Sequence, residues 1–156
     1  MKIRTALESL VTLFGAEVDG TTPGSDYTYD LTATDAVRIG VPTQSDLVPP
    51  CLWLAPGALE TPERDAEFTS HHRSLVVEFY GCIGCDEQDS GTRVLAATDF
   101  LDDLCRALDA WDPNIEEYDV TLDAPDITGG ALGSNAAPLV AGTITINWIT
   151  DIGGGA

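Results

Sequence analysis

The residues best suited to chemistry lie in one stretch, HHRSLVVEFYGCIGCDEQD, from His71 to Asp89. Two adjacent histidines, a Cys82-Ile-Gly-Cys85 motif and a run of acids are the donor types of a zinc site or a redox dithiol. Zinc needs its ligands to converge on one point, usually from a turn that curls two thiolates together. On an extended strand Cys82 and Cys85 leave opposite faces, because side chains alternate. Gly81 and Gly84 would have to bend the chain to bring the thiols together, and His71 and His72, as neighbours, also face opposite ways. A redox dithiol belongs at a helix N-terminus, which lowers the thiol pKa, but the next helical pattern starts only near Gly91 or Thr92. The spacing favours a strand end with small thiols filling space. A metal set of Cys82, Cys85, His71 and His72 stands as the alternative.

Asp86-Glu87-Gln88-Asp89-Ser90-Gly91 has the opening rhythm of a calcium loop, with glycine in sixth place. Its twelfth place, which must supply a bidentate carboxylate, is Ala97, so these acids read as a loop that favours the start of the following helix through its dipole. No phosphate-cradling glycine loop and no G-x-S-x-G elbow occurs. With 26 acids in the chain, carboxylate pairs at any spacing arise by chance, and a glycosidase dyad has no support. The reading is of a chain that is not an enzyme and takes no cofactor. Trp53, Trp111 and Trp148 fall on apolar faces and are expected in the core.

The elements that must position these residues come from one domain of 156 residues, 44% of them hydrophobic. Against the 26 acids stand seven basic residues, Lys2 being the one lysine, for a net charge of −19. Such a charge repels phosphate backbones and excludes general nucleic-acid binding. Glu8 and Thr12 interrupt what would otherwise be a signal-peptide core, and no apolar run is long enough to span a bilayer. Four cysteines in a chain of this length do not suggest a disulfide scaffold, so reduced thiols in a chain made in the cytoplasm are expected.

Ile3, Leu7, Leu10, Val11 and Phe14 share one face of a helix that Gly15 would end. Val37, Ile39 and Val41 alternate as in a short strand. Pro49-Pro50 leads into CLWLAPG, a buried strand closed by Pro56-Gly57. From Arg73, Leu75, Val77 and Phe79 face one way and Val76, Glu78 and Tyr80 the other. Val94, Ala97, Leu101, Leu104, Leu108 and Trp111 form a helical stripe, with Asp99, Asp102, Asp103, Arg106 and Asp109 opposite it and an Asp102–Arg106 pair in reach. In the last strand Val140, Ile144, Ile146 and Trp148 alternate with Thr143, Thr145 and Asn147. The order predicts α+β, an antiparallel or mixed sheet with an N-terminal helix and one long central helix packed on it. Its core should hold Leu7, Leu10, Phe14, Leu75, Val77, Phe79, Leu101, Leu104, Leu108, Ile144, Ile146 and Trp148. Two connections, 58–72 and 124–138, are longer than connection alone requires. Phe68, His71, His72, Ile127 and Leu132 within them are the expected partner contacts.

An N-terminal amphipathic helix precedes Tyr27-x-Tyr29-Asp30-Leu31 and Val37-Arg38-x-Gly40. A proline-led strand ending in Pro-Gly, a strong middle strand, a DFLDDLCRALD helix and a final Thr/Ile strand follow. In this order the chain resembles the tail terminator proteins of long-tailed viruses, also called minor tail or tail completion proteins. The resemblance implies a ring, typically a hexamer, that caps the head-proximal end of the tail tube, stops its growth and meets the head connector. Its place would be the virion, its partners other copies of itself, the tube protein and the connector. DNA would pass through a channel whose acidic wall does not hold it. Scarce lysine with abundant aspartate and threonine suits a virus of a salt-loving host.

Overall fold

The computed structural model describes residues 2–43, 48–60, 70–84, 90–115, 118–131 and 138–151. The chain is α+β. Helix α1 (Ile3–Glu17) is followed by β1 (Val37–Ile39), β2 (Cys51–Glu60), β3 (Ser70–Cys82), helix α2 (Ser90–Asp109), β4 (Tyr118–Ala131) and β5 (Pro138–Asp151). The five strands form one mixed sheet in the order β1-β2-β3-β5-β4, with β1 parallel to β2 and every other pair antiparallel.

Both helices lie on one face of this sheet. Ala6, Leu7, Leu10 and Phe14 of α1 and Ala97, Phe100, Leu101, Leu104, Ala107 and Leu108 of α2 recur at three- and four-residue spacing, which gives each helix a single apolar stripe. They close over Leu52 and Leu54, Leu75, Val77 and Phe79, and Val140, Ile144, Ile146 and Trp148, which point to the same side because side chains alternate along a strand. Every core position expected from the sequence is buried here. Each large side chain so buried contributes on the order of 1.5–3 kcal/mol. Phe100 was not among those positions. Its ring fills a hollow that Gly81 leaves in β3, so close that a β-carbon on residue 81 would overlap it.

Several expectations are corrected. Helix α1 does not stop at Gly15 but runs to Glu17; it ends where the Asp19 carboxylate takes the Thr21 and Thr22 N–H groups and turns the chain. Val94 is exposed, outside the buried stripe of α2. Arg106 meets Asp26 at 3.7 Å and not Asp102. Strand β2 does not close at Pro56-Gly57. A register shift between Pro56 and Leu59 carries it on to Glu60. Proline is tolerated there because β1 pairs only with Leu52, Trp53 and Leu54, leaving the outer edge of Pro56 unpaired. The connection 124–138 is mostly strand, since β4 pairs with β5 as far as Ala131 opposite Pro138.

Asp103, expected on the solvent side of α2, is 2% exposed. Its carboxylate accepts the backbone N–H of Thr28 at 3.0 and 3.1 Å and that of Tyr29 at 2.8 Å. Burial raises its pKa, and the hydrogen bonds from Tyr29 and Thr28 offset part of that rise. The Tyr29 ring then meets Phe100 edge to face, with centroids 5.6 Å apart, and its hydroxyl donates to the Ala96 carbonyl. Asp103 is thus the pin that fastens the segment after α1 to α2.

Candidate functional site

Of the positions singled out for metal chemistry, His71, His72 and Cys82 are placed at opposite ends of one strand. His71 and His72 stand at the start of β3, opposite Thr150 and Ile149, whereas Cys82 is its last residue, opposite Cys51 and Leu139. Ten residues of unbroken strand separate His72 from Cys82, roughly 33 Å at ~3.3 Å per residue. One ion cannot take ligands from both. Cys85 and Asp86 to Asp89 lie outside the described residues, as do Phe68 and Leu132. Among the described residues no group of three or more histidines, cysteines and acids could hold a metal.

The expected partner contacts divide between the two ends of the sheet. His71 pairs with Thr150 near one end of β5, while Asp126, next to Ile127, pairs with Ala141 near the other. Those two positions of β5, Ala141 and Thr150, are nine residue steps apart, about 30 Å. The ends of β2 and β3 that are joined to each other therefore lie at the opposite end of the sheet from the joined ends of β4 and β5.

Between these ends runs the face of the sheet that neither helix covers. Its middle is the set of β5 residues that alternate with the core: Ala141, Thr143, Thr145 and Asn147, all half-buried. Across from them stand Tyr80, Glu78, Val76 and Ser74 on β3, and on β4 Asp123, Thr121 and Asp119 opposite Thr143, Thr145 and Asn147. The centre is small and hydroxyl-rich, and Glu78, Asp119 and Asp123 are exposed around it. Among the described residues of β3, β5 and β4 on this face none is a lysine or an arginine.

One corner of the face is different. Cys51, Trp53 and Cys82 form a small buried cluster of their own, separate from the main core, with Tyr80 packed against it. Trp53 is therefore not part of the core beneath the helices, as its apolar surroundings in sequence suggested; it lies on the opposite side of the sheet, beside Tyr80. The Arg38 guanidinium sits 5.4 Å from the Trp53 ring centroid, a cation–π arrangement. It is held there by the Asp35 carbonyl at 2.9 Å and the Asp35 carboxylate at 3.5 Å. Beside it an open cleft of about 650 Å³ runs between α1 and β1, lined by Glu8, Val11, Thr12, Asp35, Ile39 and Trp53 among others. Its one cation is already satisfied by Asp35 and Trp53, and its walls bring no nucleophile and base together.

The Cys51 and Cys82 thiols touch. Cys82 donates to Cys51, which lowers the Cys51 pKa to about 7, while Cys82, as the donor, is pushed up. Reasoning from sequence spacing centred on Cys82 and Cys85 and missed Cys51. The signal that was available is parity: if Leu52 and Phe79 both face the core, Cys51 and Cys82 must share the other face.

A scan against models of protein families finds no family that matches this chain, and a search of curated proteins finds no similar sequence.

Proposed function

We propose that the chain is a structural subunit of a virion, a tail terminator that closes into a ring on the head-proximal end of a tail tube, ends the tube's growth and meets the head connector. The observation that carries this reading is the layout of the sheet. One face is covered by helices, the other is open, small-residued and acid-rimmed, and the joined ends of β2–β3 and of β4–β5 lie at opposite ends of the sheet. A ring subunit between two axial partners needs contacts at both ends of its body. It also needs a wall past which DNA slides unheld. Lysines or arginines on that wall would each add a phosphate contact, whereas carboxylates repel the backbone over about a Debye length, ~10 Å at 0.1 M salt. The reading places Glu78, Asp119 and Asp123 toward the channel, and the two hairpin tips toward tube and connector.

The same charge opposes closure. Copies carrying −19 each repel one another, so the isolated chain should remain monomeric at low salt and assemble on tubes or at high salt. Light scattering across a salt series, with and without purified tubes, tests this together with tube length in an assembly assay. A chain that stays monomeric in every condition and leaves tube length unchanged overturns the reading.

A further inference from the structure

Cys51 opens β2 and Cys82 closes β3, and the two face each other directly in the antiparallel register. Directly opposed residues in such a pair have α-carbons about 4.5–5.5 Å apart, inside the roughly 4.4–6.8 Å span that a disulfide bridges. Both side chains leave the same face, into the cluster with Trp53, and both are free thiols in contact with each other. Neither is needed by the main core, from which the cluster is separate.

We infer that Cys51 and Cys82 are a peroxide-sensitive pair that closes to a cross-strand disulfide and staples the open end of the β2–β3 hairpin. This stands apart from the ring reading and does not depend on it. The pair lies where the strands end. The β1–β2 pairing begins only at Leu52, and Gly84, two residues past Cys82, is exposed. Local fraying at strand ends costs far less than global unfolding, which gives a small oxidant access to thiols that are 4% and 1% exposed. Cys51, which accepts the hydrogen bond and has the lower pKa, is the nucleophile.

The chemistry balances with hydrogen peroxide alone. The Cys51 thiolate attacks one peroxide oxygen, the O–O bond breaks, and hydroxide leaves, taking up the thiol proton to become water. Cys51 is then a sulfenic acid. The Cys82 sulfur attacks the Cys51 sulfur, the S–O bond breaks, and the hydroxyl leaves with the Cys82 proton as a second water. Two thiols are oxidised by two electrons in all, and one peroxide is reduced to two waters.

The test uses the whole chain, treated with hydrogen peroxide, unfolded in the presence of an alkylating agent and digested without reductant. The expected product is a peptide joining Cys51 to Cys82, lighter than the sum of the reduced peptides by two hydrogen atoms, with the denaturation midpoint of the intact protein raised and returned by dithiothreitol. In Cys82→Ser the linked peptide should vanish and Cys51 should carry a sulfenic or sulfinic acid. Recovery of Cys51 and Cys82 both alkylated, at peroxide that oxidises the exposed Cys105, overturns the inference. So does a link from Cys82 to Cys85 in place of Cys51. The mapping is made on the unmutated chain, so it decides even where Cys82→Ser fails to fold.

Discussion

The two faces of the sheet are built from the same strands and have opposite tasks. On β5, Val140, Ile144, Ile146 and Trp148 are buried beneath the helices, while Ala141, Thr143, Thr145 and Asn147, one step away on the same backbone, are half-buried and small. A strand alternates faces at every residue, so one stretch of chain can supply a tightly packed core and an open polar surface without compromise between them. The covered face sets whether the chain folds. The open face can then change its chemistry at little cost to the fold, and that separation of fold from surface can be tested by substitutions on each side.

The largest effect is expected under the helices. Phe100 is fully buried, fits against Gly81 and meets Tyr29 edge to face. Phe100→Ala removes its packing and leaves a cavity, for an expected loss of about 3–5 kcal/mol in denaturant melts. A loss below half that would mean the hollow at Gly81 collapses around the gap, and the covered face is more plastic than its packing implies.

Next comes Asp103, the one charged side chain taken into the covered side among the described residues. Asp103→Ala leaves the N–H groups of Thr28 and Tyr29 without their acceptor, an expected loss of ~1–3 kcal/mol. Its pH dependence has a definite sign. Because burial raises the folded pKa above 3.8, the folded state keeps a proton over a range where the unfolded state has lost it. The contribution to stability therefore falls as pH rises through that window. Measured from about pH 4 to 7, the difference between wild type and Asp103→Asn should move against the wild type. A difference moving in its favour would mean that the N–H donors outweigh burial.

Asp19 sharpens the contrast. It caps the turn after α1 while only partly covered, and hydrogen bonds from Thr21 and Thr22 lower its pKa to about 2. Its contribution is present above 3.8 and lost as pH falls toward about 2. Asp19→Asn should flatten the stability curve below 3.8, whereas Asp103→Asn acts above 3.8 and with the opposite sign, steepening the rise of stability with pH. If both variants change the pH slope in the same direction, each in its own window, the two carboxylates do not differ as their surroundings require.

The covered face was legible in sequence because its periodicities are strong: the stripe from Ala97 to Leu108 and the alternation at Leu75, Val77 and Phe79 need no knowledge of their partners. Asp103 was not legible, because its acceptor role depends on backbone donors some seventy-five residues earlier in the chain, which no local pattern reveals. The far half of β4 was hidden by Pro125, Asp126, Gly129 and Gly130. These residues break strands by propensity, but register shifts at 123–126 and 126–130 let the ladder with β5 continue past them. Trp53 could not be assigned a face because Cys51, Leu52, Trp53, Leu54 and Ala55 are all buried, and an unbroken apolar run carries no alternation. The Cys51–Cys82 pairing was half legible. Parity puts Cys82 on the face opposite Phe79, but Cys51 lies in the same unbroken apolar run as Trp53, so its face, like its register, depends on the pairing of β2 with β3 and on the shift at Pro56.

The smallest effect on folding belongs to the open face, and there one substitution separates surface from fold most sharply. Thr145 lies between Val76 of β3 and Thr121 of β4, with no helix above it. Thr145→Lys puts a cation on a face whose described charges on β3 and β4 are the acids Glu78, Asp119 and Asp123. The long side chain can extend outward with its charge in water, so the denaturation free energy should change by no more than ~0.5 kcal/mol, as for surface substitutions generally. Function should respond differently. In the proposed ring every copy would carry the new lysine, so the wall would gain a circle of phosphate contacts, and DNA retained by assembled protein should rise at low salt and fall away steeply as salt increases. The wild type should retain none at any salt. Filter retention of DNA by tube-bound rings across a salt series reads this directly, with denaturant melts of the same samples as the control. If Thr145→Lys unfolds the chain as severely as Phe100→Ala, the face is packed and not open. If it folds normally and rings bearing it hold no more DNA than the wild type, this face does not look into the channel.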